Sequence, residues 1–296
     1  MLRSLYSGVS GLRNHQVRMD VIGNNIANVN TVGFKASRVV FQDIYSQTLK
    51  PASGSTATSG GSNPQQIGLG VSLATVDVLQ TRTGSQYTGE PLDLSIEGDG
   101  FFVVKDGSGT YYTRAGNFKT DENGTLVNAN GLKVQGTTYT YTPAVDPVSG
   151  DPILDPVTGE QVINVTSTPN SNITIDSSAY HDVTVDKNGN VIGIDTTGNK
   201  VTLATIQIAT FNNQGALEKV GQSLYSPTNN SGAPNVMLPG SAGAATLNPG
   251  ALEMSNVDLA KEFTDMITTQ RGFQANSRII TTSDSLLEEL VNLKRQ

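Results

Sequence analysis

The sequence contains no cysteine and no tryptophan, and its only histidines are His15 and His181. Without cysteine the chain can form neither a disulfide nor a thiolate metal site. A cysteine and histidine catalytic pair is excluded for the same reason, and a serine triad has no supporting motif around either histidine. The chain is therefore held together by ordinary packing and hydrogen bonds.

Charge and long apolar runs are also scarce. Charged residues make up 15% of the 296 positions and the net charge is −7, with no cluster of lysine and arginine that would bind phosphates. We therefore predict no nucleic-acid partner. No window approaches the roughly 20 apolar residues of a membrane span, and the opening MLRSLYSGVSGLRNHQ lacks the apolar stretch of a cleaved secretory signal. Either a cytoplasmic protein or one exported without a cleavable signal fits these observations.

Proline is absent from both ends, because all 12 prolines lie between positions 51 and 249. The two proline-free ends are the candidates for long helices. Apolar residues at alternating spacings of four and three indicate a helix that packs along another helix. The first such seam consists of Leu5, Val9, Leu12, Gln16, Met19, Gly23 and Ile26. The second consists of Leu259, Phe263, Met266, Gln270, Phe273, Ser277 and Ile280, and Leu287 and Val291 extend it.

Ends and neighbours of these helices can also be predicted. Ser255 or Asn256 is the expected cap of the second helix, with Asp258 in its first turn, and Gly33 is expected to close the first. His15 falls off the first seam, where a solvated position is the ordinary expectation. Burying five apolar seam residues gains about 8–15 kcal/mol gross, whereas ordering each residue costs about 1–2 kcal/mol. We therefore expect these arms to order fully only when neighbouring chains cover them, although such stripes also occur over ordinary globular cores.

Between the helices, the sequence predicts an antiparallel β domain. Strand-like runs from about position 73 to 255 are separated by turn dipeptides such as Asp106-Gly107, Asn123-Gly124, Asn130-Gly131, Asn188-Gly189 and Gln214-Gly215. The related strings DPVSGD (146–151) and DPVTGE (155–160) lie in a proline-rich stretch that we interpret as a projecting loop or small hairpin insertion. Positions 50–66 are rich in serine and glycine, which alone indicates a flexible linker.

Ligand-binding motifs are incomplete. Asp186, Asn188 and Asn190 have the spacing of a calcium loop, but Val191 and Thr197 stand where that loop requires glycine and glutamate. The glycines at 98 and 100 are not followed by the third glycine of a dinucleotide fingerprint. Paired-carboxylate chemistry remains open because spatial pairing is invisible in a sequence. We predict no cofactor, no metal, no small-molecule substrate and no enzymatic activity.

An asparagine-rich string, DVIGNNIANVNTVGFK, occupies positions 20–35. Small residues at its helix end favour close contact, amide side chains can bond backbone or neighbouring chains, and a glycine permits a left-handed turn. Composition alone is equally compatible with a helix end that has no partner. The candidate interface residues in and beside this string are Gly23, Asn24, Asn25, Ile26, Ala27, Asn28, Asn30, Gly33 and Phe34.

As a whole, this string resembles the N-terminal signature of the flagellar rod and hook protein family. Further resemblances to the family are LDLSIEGDGFFVV (92–104), YTRAGNFKTDENGTLVNANGLKVQG (112–136) and the final segment from 250 to 295. The resemblance implies an α+β fold in which coiled-coil-like helices from both chain ends pair beside an antiparallel β domain. The expected segments are a helix at 1–32, a connection at 33–74, the β domain at 75–254 with an insertion at about 137–172, and a helix at 255–296.

The resemblance also implies a function and partners. Family members polymerise into a helical tube, contact other axial proteins of the rod, hook cap and hook-filament junction, and pass through the flagellar export apparatus without a cleaved signal. The opening MLRSLYSGVSG and the ending LVNLKR resemble hook proteins, so we predict a hook subunit, extracellular after export. Positions 50–66 resemble a stretch that distal rod proteins carry, which makes a distal rod protein of the basal body the alternative. A secreted β-domain adhesin and a cytoplasmic hydrolase are more remote alternatives.

Overall fold

The computed structural model describes residues 2–56, 60–143, 163–176, 178–196, 198–241 and 245–293. Two compact units are present. The first, which we call the helical unit, comprises Met1–Val29, Lys35–Gln80 and Asn256–Gln296. The second, which we call the β unit, comprises Asn30–Phe34 and Thr81–Ser255. Together they confirm the predicted α+β class, with helices from the two ends of the chain and antiparallel strands between them.

The helical unit contains two long helices, α1 (Leu2–Ala27) and α2 (Leu259–Leu293). They are antiparallel, because Gly8 lies against Ile280 whereas Gly272 lies against His15. Both helices are shorter than the predicted spans 1–32 and 255–296. Neither has the length and apolar character required to cross a membrane.

The helix ends differ from the predicted ones. Asp258 caps α2, since its Oδ1 accepts hydrogen bonds from the backbone N–H groups of Ala260 and Lys261 at 2.9 and 3.3 Å. Ser255 and Asn256 therefore do not serve as the cap. Helix α1 ends at Ala27, six residues before Gly33. The Asn28 side chain ends the helix by donating back to the Asn24 carbonyl at 2.9 Å, a local bond that competes with helix continuation.

Two nested hairpins complete the helical unit. Its strands are β1 (Ser37–Asp43), β2 (Ser46–Lys50), β3 (Gln65–Gly68) and β4 (Val71–Val78). Strand β1 pairs with β4 and β2 pairs with β3, both antiparallel, and an isolated bridge joins Ser53 to Ser62. The predicted connection at 33–74 thus contains three of these strands and the first half of β4. Likewise, the described part of 50–66 is an extended hairpin and not the linker that its composition indicates, because backbone and serine hydroxyl bonds pair its two sides.

The β unit contains many short strands and a single-turn 3-10 helix at Gln214–Ala216. The strands are β5 (Ser85–Tyr87), β6 (Leu94–Glu97), β7 (Phe101–Asp106), β8 (Gly109–Thr113), β9 (Lys119–Thr120), β10 (Leu126–Val127), β11 (Lys133–Pro143), β12 (Ile163–Asn172), β13 (Tyr180–Val185), β14 (Asn190–Asp195), β15 (Lys200–Ile206), β16 (Ile208–Thr210), β17 (Glu218–Gly221), β18 (Leu224–Ser226), β19 (Asn235–Met237), β20 (Thr246–Pro249) and β21 (Ala251–Glu253). The main sheet runs in the order β13-β14-β15-β11-β7-β8-β18-β17, and β20 pairs with β6 and β21 with β5.

Strand β7 lies at the centre of this sheet and is covered on both faces. Phe102 and Val104 belong to one apolar cluster, and Phe101 and Val103 belong to another. Because successive side chains of a strand point to opposite faces, the uninterrupted run FFVV is what a strand buried on both sides requires. The β unit therefore has its own core.

Three details of the β unit concern earlier predictions. The run ITID at 173–176 lies within the region of predicted strands but forms only a bridge at Thr174, and Ile173 and Ile175 donate their N–H groups to the Val134 and Gly124 carbonyls. The Gln214-Gly215 turn lies in the 3-10 helix. In the predicted insertion, β11 and β12 pair from Gln135 to Pro143 as a long hairpin, and the DPVSGD and DPVTGE strings lie outside the described residues.

Candidate assembly interface

Small and polar residues form the contact between α1 and α2. On α1, Gly8 and Gly11 are buried, and a Cβ at Gly11 would lie only 2.5 Å from Asn276 Nδ2. On α2, a Cβ at Gly272 would lie 2.8 Å from the His15 ring. Only glycine permits such an approach without displacing the opposite side chain. The two helix backbones are therefore close enough that large apolar side chains do not fit between them at these points.

The face that joins the helices differs from the predicted seams by one residue on each helix. Its members on α1 are Gly8, Gly11, His15, Arg18, Ile22 and Asn25, and on α2 they are Glu262, Asp265, Thr269, Gly272, Asn276, Ile279 and Ser283. Ile280 of the predicted seam also lies against Gly8. A shift of one residue rotates the contact face by about 100° around each helix. As a result Gln16 and Gln270 are exposed, and His15, which we expected to be solvated, packs against the opposite helix.

The predicted seam residues flank this contact. On α1, Gln16 is exposed and the other six are half-buried, namely Leu5, Val9, Leu12, Met19, Gly23 and Ile26. On α2 the half-buried ones are Met266, Phe273, Ile280 and Leu287. The exposed ones on α2 are Leu259, Phe263, Gln270, Ser277 and Val291. Phe263 keeps 50% of its surface exposed and Val291 keeps 60%. The structure thus leaves much of both apolar stripes uncovered by the rest of the described chain.

Two titratable groups at the same contact, His15 and Glu262, have shifted pKa values. Arg18 forms an ion pair with Asp265 at 2.9 Å. Partial burial, and then the neighbouring charge of Arg18, lowers the pKa of His15 below its ordinary value of 6.5. Burial raises the pKa of Glu262. Within the described residues, the buried Nδ1 of His15 has no hydrogen-bond partner.

Asn25 connects three elements of the helical unit. Its side chain is almost completely buried, and its Nδ2 donates to the Ser37 carbonyl at 2.9 Å and to Glu262 Oε1 at 3.2 Å. Its Oδ1 accepts from the Ser37 N–H at 3.0 Å. Because Ser37 begins β1 and Glu262 lies in the first turns of α2, one amide fixes helix, strand and helix together. This is a structural role within the chain that the asparagine-rich string did not specify.

A second asparagine, Asn256, makes a related connection, although the sequence analysis considered it only as a helix cap. Asn256 accepts a hydrogen bond from the Ala36 N–H at 2.6 Å and donates to the Leu79 carbonyl at 2.7 Å. Ala36 in turn accepts a hydrogen bond from the Leu79 N–H at 2.8 Å. Asn256 therefore holds both ends of the β1–β4 hairpin, which explains why it does not cap α2.

The remaining residues of the asparagine-rich string take different positions. Asn24 is exposed and bonds Asn28, and Ala27 is exposed. At Gly23 a Cβ would meet nothing within 4 Å, so the close contact expected there is not made within the described chain. In the β unit, Asn30 is exposed and the Phe34 ring lies 4.8 Å below the Lys219 ammonium. The string therefore contributes to both units.

Gly33 belongs to a buried polar centre of the β unit. Its φ is +66°, and a Cβ would lie 2.7 Å from the Ala115 nitrogen. Its N–H donates to the Glu253 carbonyl at 2.9 Å, and the Glu253 carboxylate pairs with the completely buried Arg114 at 3.3 Å. Burial lowers the pKa of Arg114 and the Glu253 charge opposes that shift. No sequence signal identified this ion pair, because its members are 139 residues apart.

The calcium-like spacing at 186–190 lies in a turn between β13 and β14. The Asp186 Oδ1 accepts the N–H of Lys187 within its own turn, and Thr197 lies outside the described residues. Across the part of the chain that the structure describes, no group of three histidine, aspartate or glutamate residues is arranged to hold a metal ion.

Comparison with known proteins places this arrangement in a family. Residues 5–35 match the model of the flagella basal body rod protein, residues 95–193 match the flagellar hook protein FlgE/F/G D1 domain, and residues 248–293 match the flagellar basal body rod FlgEFG protein C-terminal domain. The chain is also 47% identical to the flagellar basal-body rod protein FlgG of Bacillus subtilis over 296 residues, which is all of both chains. The chain belongs to the flagellar rod and hook protein family. It is therefore an axial component of the flagellum, and its named relatives are rod and hook proteins.

One organism, Borreliella burgdorferi, provides both a rod relative and a hook relative with which this chain can be compared. Its FlgG rod protein is 36% identical over 300 residues, covering 100% of both chains. Its FlgE hook protein is 34% identical over 441 residues, covering 99% of this chain and 100% of the hook protein. The identities are similar, but the hook alignment is much longer than the 296 residues present here. That hook protein therefore carries sequence which has no counterpart in this chain.

Proposed function

We propose that the chain is a distal rod subunit that assembles with copies of itself into a helical tube. The observation that carries self-assembly is the distribution of apolar side chains on α2. Leu259, Phe263 and Ile267 follow one another at four-residue spacing on one face and are 40%, 50% and 58% exposed. Leu286 and Leu290 lie on another face and are 51% and 50% exposed. A helix that is apolar on several sides is normally buried on several sides. Covering each large side chain gains about 1.5–3 kcal/mol, so neighbouring copies stabilise the helices as they pack around them.

The rod is favoured over the hook, which the sequence analysis put first. The full-length 47% identity to FlgG of Bacillus subtilis supports the rod, as does the extra sequence in the hook relative. The pairing between the described sides of 50–66 also supports it, because that stretch resembles one that distal rod proteins carry. A hook subunit remains the second candidate, since hook relatives align with nearly the whole chain.

Partners and location follow from this proposal. The chain passes through the flagellar export apparatus and adds to the growing axis, where it contacts other rod and hook proteins as well as its own copies. The candidate interface comprises the flanking apolar stripes and the exposed residues of the asparagine-rich string. Gly23 and Ala27 provide a small-residue surface on α1 that a neighbouring copy can approach closely.

Two aspartate substitutions test the assembly. Leu12→Asp and Phe273→Asp each place a carboxylate on an apolar stripe that is half-buried in the single chain and fully buried in a tube, where an unpaired charge is costly. We expect folded monomers by circular dichroism and no tubes in electron micrographs. The matched variants Leu12→Met and Phe273→Leu keep the stripes apolar and are expected to assemble. Tubes of normal length from either aspartate variant would contradict the proposed interface, and the shape of wild-type tubes, straight or curved, distinguishes rod from hook.

A further inference from the structure

An apolar groove opens on α1 at the side away from α2. Val9 and Arg13 of α1 line it, together with Ile44, Leu69 and Leu73 of the hairpins, and its volume is about 400 Å³. On a helix with 3.6 residues per turn, these α1 positions lie about half a turn from Gly8 and Gly11, which face α2. The second helix of the same chain therefore does not fill this groove. We call it the α1 groove.

An exposed ridge of leucines lies near the C-terminal end of α2. Leu286, Leu290 and Leu293 follow one another at one-turn spacing and are 51%, 50% and 68% exposed. Continuing the register that sets Gly8 against Ile280 places Leu286 beside the first described turn of α1, and Leu290 and Leu293 beyond it. Helix α1 of the same chain thus leaves this end of α2 uncovered. We call these three residues the α2 ridge.

The groove and the ridge match in length and in charge. The α1 wall of the groove runs from Tyr6 to Asn14, about 12 Å of helix, and the ridge runs from Leu286 to Leu293, about 10 Å. Arg13 borders the groove and Glu289 borders the ridge, and neither forms an ion pair with another described residue. A helix that inserts apolar residues at one-turn spacing into a groove is a recurrent mode of recognition.

We propose that the α2 ridge of one copy occupies the α1 groove of a second copy, with Glu289 beside Arg13. This inference rests on the proposed self-assembly and specifies the surfaces that carry it. Groove and ridge are different surfaces, so the contact is head-to-tail. A head-to-tail contact that does not close on itself generates an open helical polymer, which is the geometry that a tube requires.

Cysteine cross-linking tests the contact cleanly, because the natural sequence has no cysteine. The full-length double variant Val9→Cys/Leu290→Cys carries one thiol in the groove and one on the ridge. After assembly and mild oxidation, we expect a ladder of covalent oligomers on a non-reducing gel. A mixture of the two single variants is expected to stop at covalent dimers, since each chain then has one thiol. The matched control Val9→Cys/Phe263→Cys, whose second thiol lies on another exposed face of α2, is expected to give no ladder.

Charge reversal provides an independent measurement. Arg13→Glu places like charges together and is expected to slow tube elongation about tenfold or more. Adding Glu289→Arg restores the pair, and elongation is expected to return to within about threefold of the wild type. Adding Asp284→Arg instead, on another side of α2, is expected to leave elongation slow.

The outcomes separate this inference from the proposed function. Two outcomes would overturn the groove contact and leave self-assembly intact. In the first, tubes form normally but give no ladder. In the second, Glu289→Arg and Asp284→Arg restore the elongation of Arg13→Glu equally. Failure of the wild-type chain to form any polymer would overturn self-assembly itself. A ladder specific to the Val9 and Leu290 pair, together with selective rescue by Glu289→Arg, would establish the contact.

Discussion

The two units of this chain bury their side chains in different ways. In the β unit, apolar clusters cover both faces of β7, and even an arginine and a glutamate are buried as a pair. In the described helical unit, the buried apolar side chains are only Ile22 and Ala36, whereas many large apolar residues are exposed. A unit with its own core is stable alone, but a unit joined by glycines and polar groups gains most of its burial from neighbours. Under the proposed function, the helical unit is the part that assembly completes.

The largest expected effect on stability concerns the buried ion pair of the β unit. Glu253→Gln leaves the Arg114 charge buried and uncompensated, so we expect a loss of about 3–5 kcal/mol in the free energy of unfolding of that unit. Urea unfolding followed by tyrosine fluorescence measures it. The matched variant Arg82→Gln removes a surface pair with Asp99 whose side chains are 62% and 61% exposed, and about 1 kcal/mol or less is expected. Equal effects of the two variants would mean that the β unit does not depend on its buried centre.

The next effect concerns Asn25 in the helical unit. Asn25→Asp removes the amide that donates to Ser37 and Glu262 and sets a carboxylate beside Glu262. We expect the helical signal in circular dichroism to melt earlier, corresponding to about 2–3 kcal/mol, because a buried group loses its partners. The same substitution at the exposed neighbour Asn24 is expected to cost about 0.5 kcal/mol or less. If both variants melt alike, the helical unit is not organised around Asn25.

The helical unit also shows what the sequence could and could not predict. Proline-free ends and apolar spacing were sufficient to predict two terminal helices, and alternating strand patterns and turn dipeptides were sufficient for the β unit. The face by which the helices meet could not be predicted in the same way. Apolar periodicity identifies the side of a helix that becomes buried once all of its contacts have formed. It does not distinguish a partner in the same chain from one in another chain. Gly11 and Gly272 mark the contact within the chain by close approach, which has no apolar signal.

The asparagine-rich string illustrates the same limit at single residues. Its amides were identified as candidates, yet Asn25 is buried and joins three elements while Asn24, next to it, is exposed. Spacing along a helix does not decide which amide faces the strand, since that depends on where β1 returns after the turn. The buried pair of Arg114 and Glu253 was missed entirely because only the folded sheet brings the two residues together.

A smaller effect is expected from the pH dependence of the helical unit. The pKa of His15 is lowered in the folded chain, so the unfolded chain binds its proton first as pH falls below about 6.5. Folding stability from this group is therefore complete above that pH and declines below it. The raised pKa of Glu262 has the opposite sign, because its contribution is lost as pH rises above 4.5. Arg18, Lys261 and Asp265 are other charged groups at this contact.

The variant His15→Gln isolates the histidine from these other groups. We expect its helical melting temperature to change less between about pH 5 and pH 7 than that of the wild type, with a constant difference between the two curves above pH 7. Melting curves followed by circular dichroism at several pH values measure this difference. Parallel curves for wild type and variant throughout the range would exclude His15 as the source of acid sensitivity.

The smallest expected effect on the single chain is that of removing the tip of the β2–β3 hairpin. Deleting residues 52–62 removes a stretch that the described chain pairs by one bridge, from Ser53 to Ser62, and closing a shorter loop changes the entropy of folding only slightly. The deletion should therefore shift the melting temperature of the helical unit by less than Asn25→Asp does. In tubes the outcome should differ, because a hairpin wedged between subunits restricts their sliding to one spacing, as a rod requires and a hook cannot tolerate. We expect tubes of the deletion variant to bend more easily in micrographs than wild-type tubes. Unchanged stiffness in full-length tubes would show that this hairpin is not a wedge, and that the rigidity of the rod comes from the helices alone.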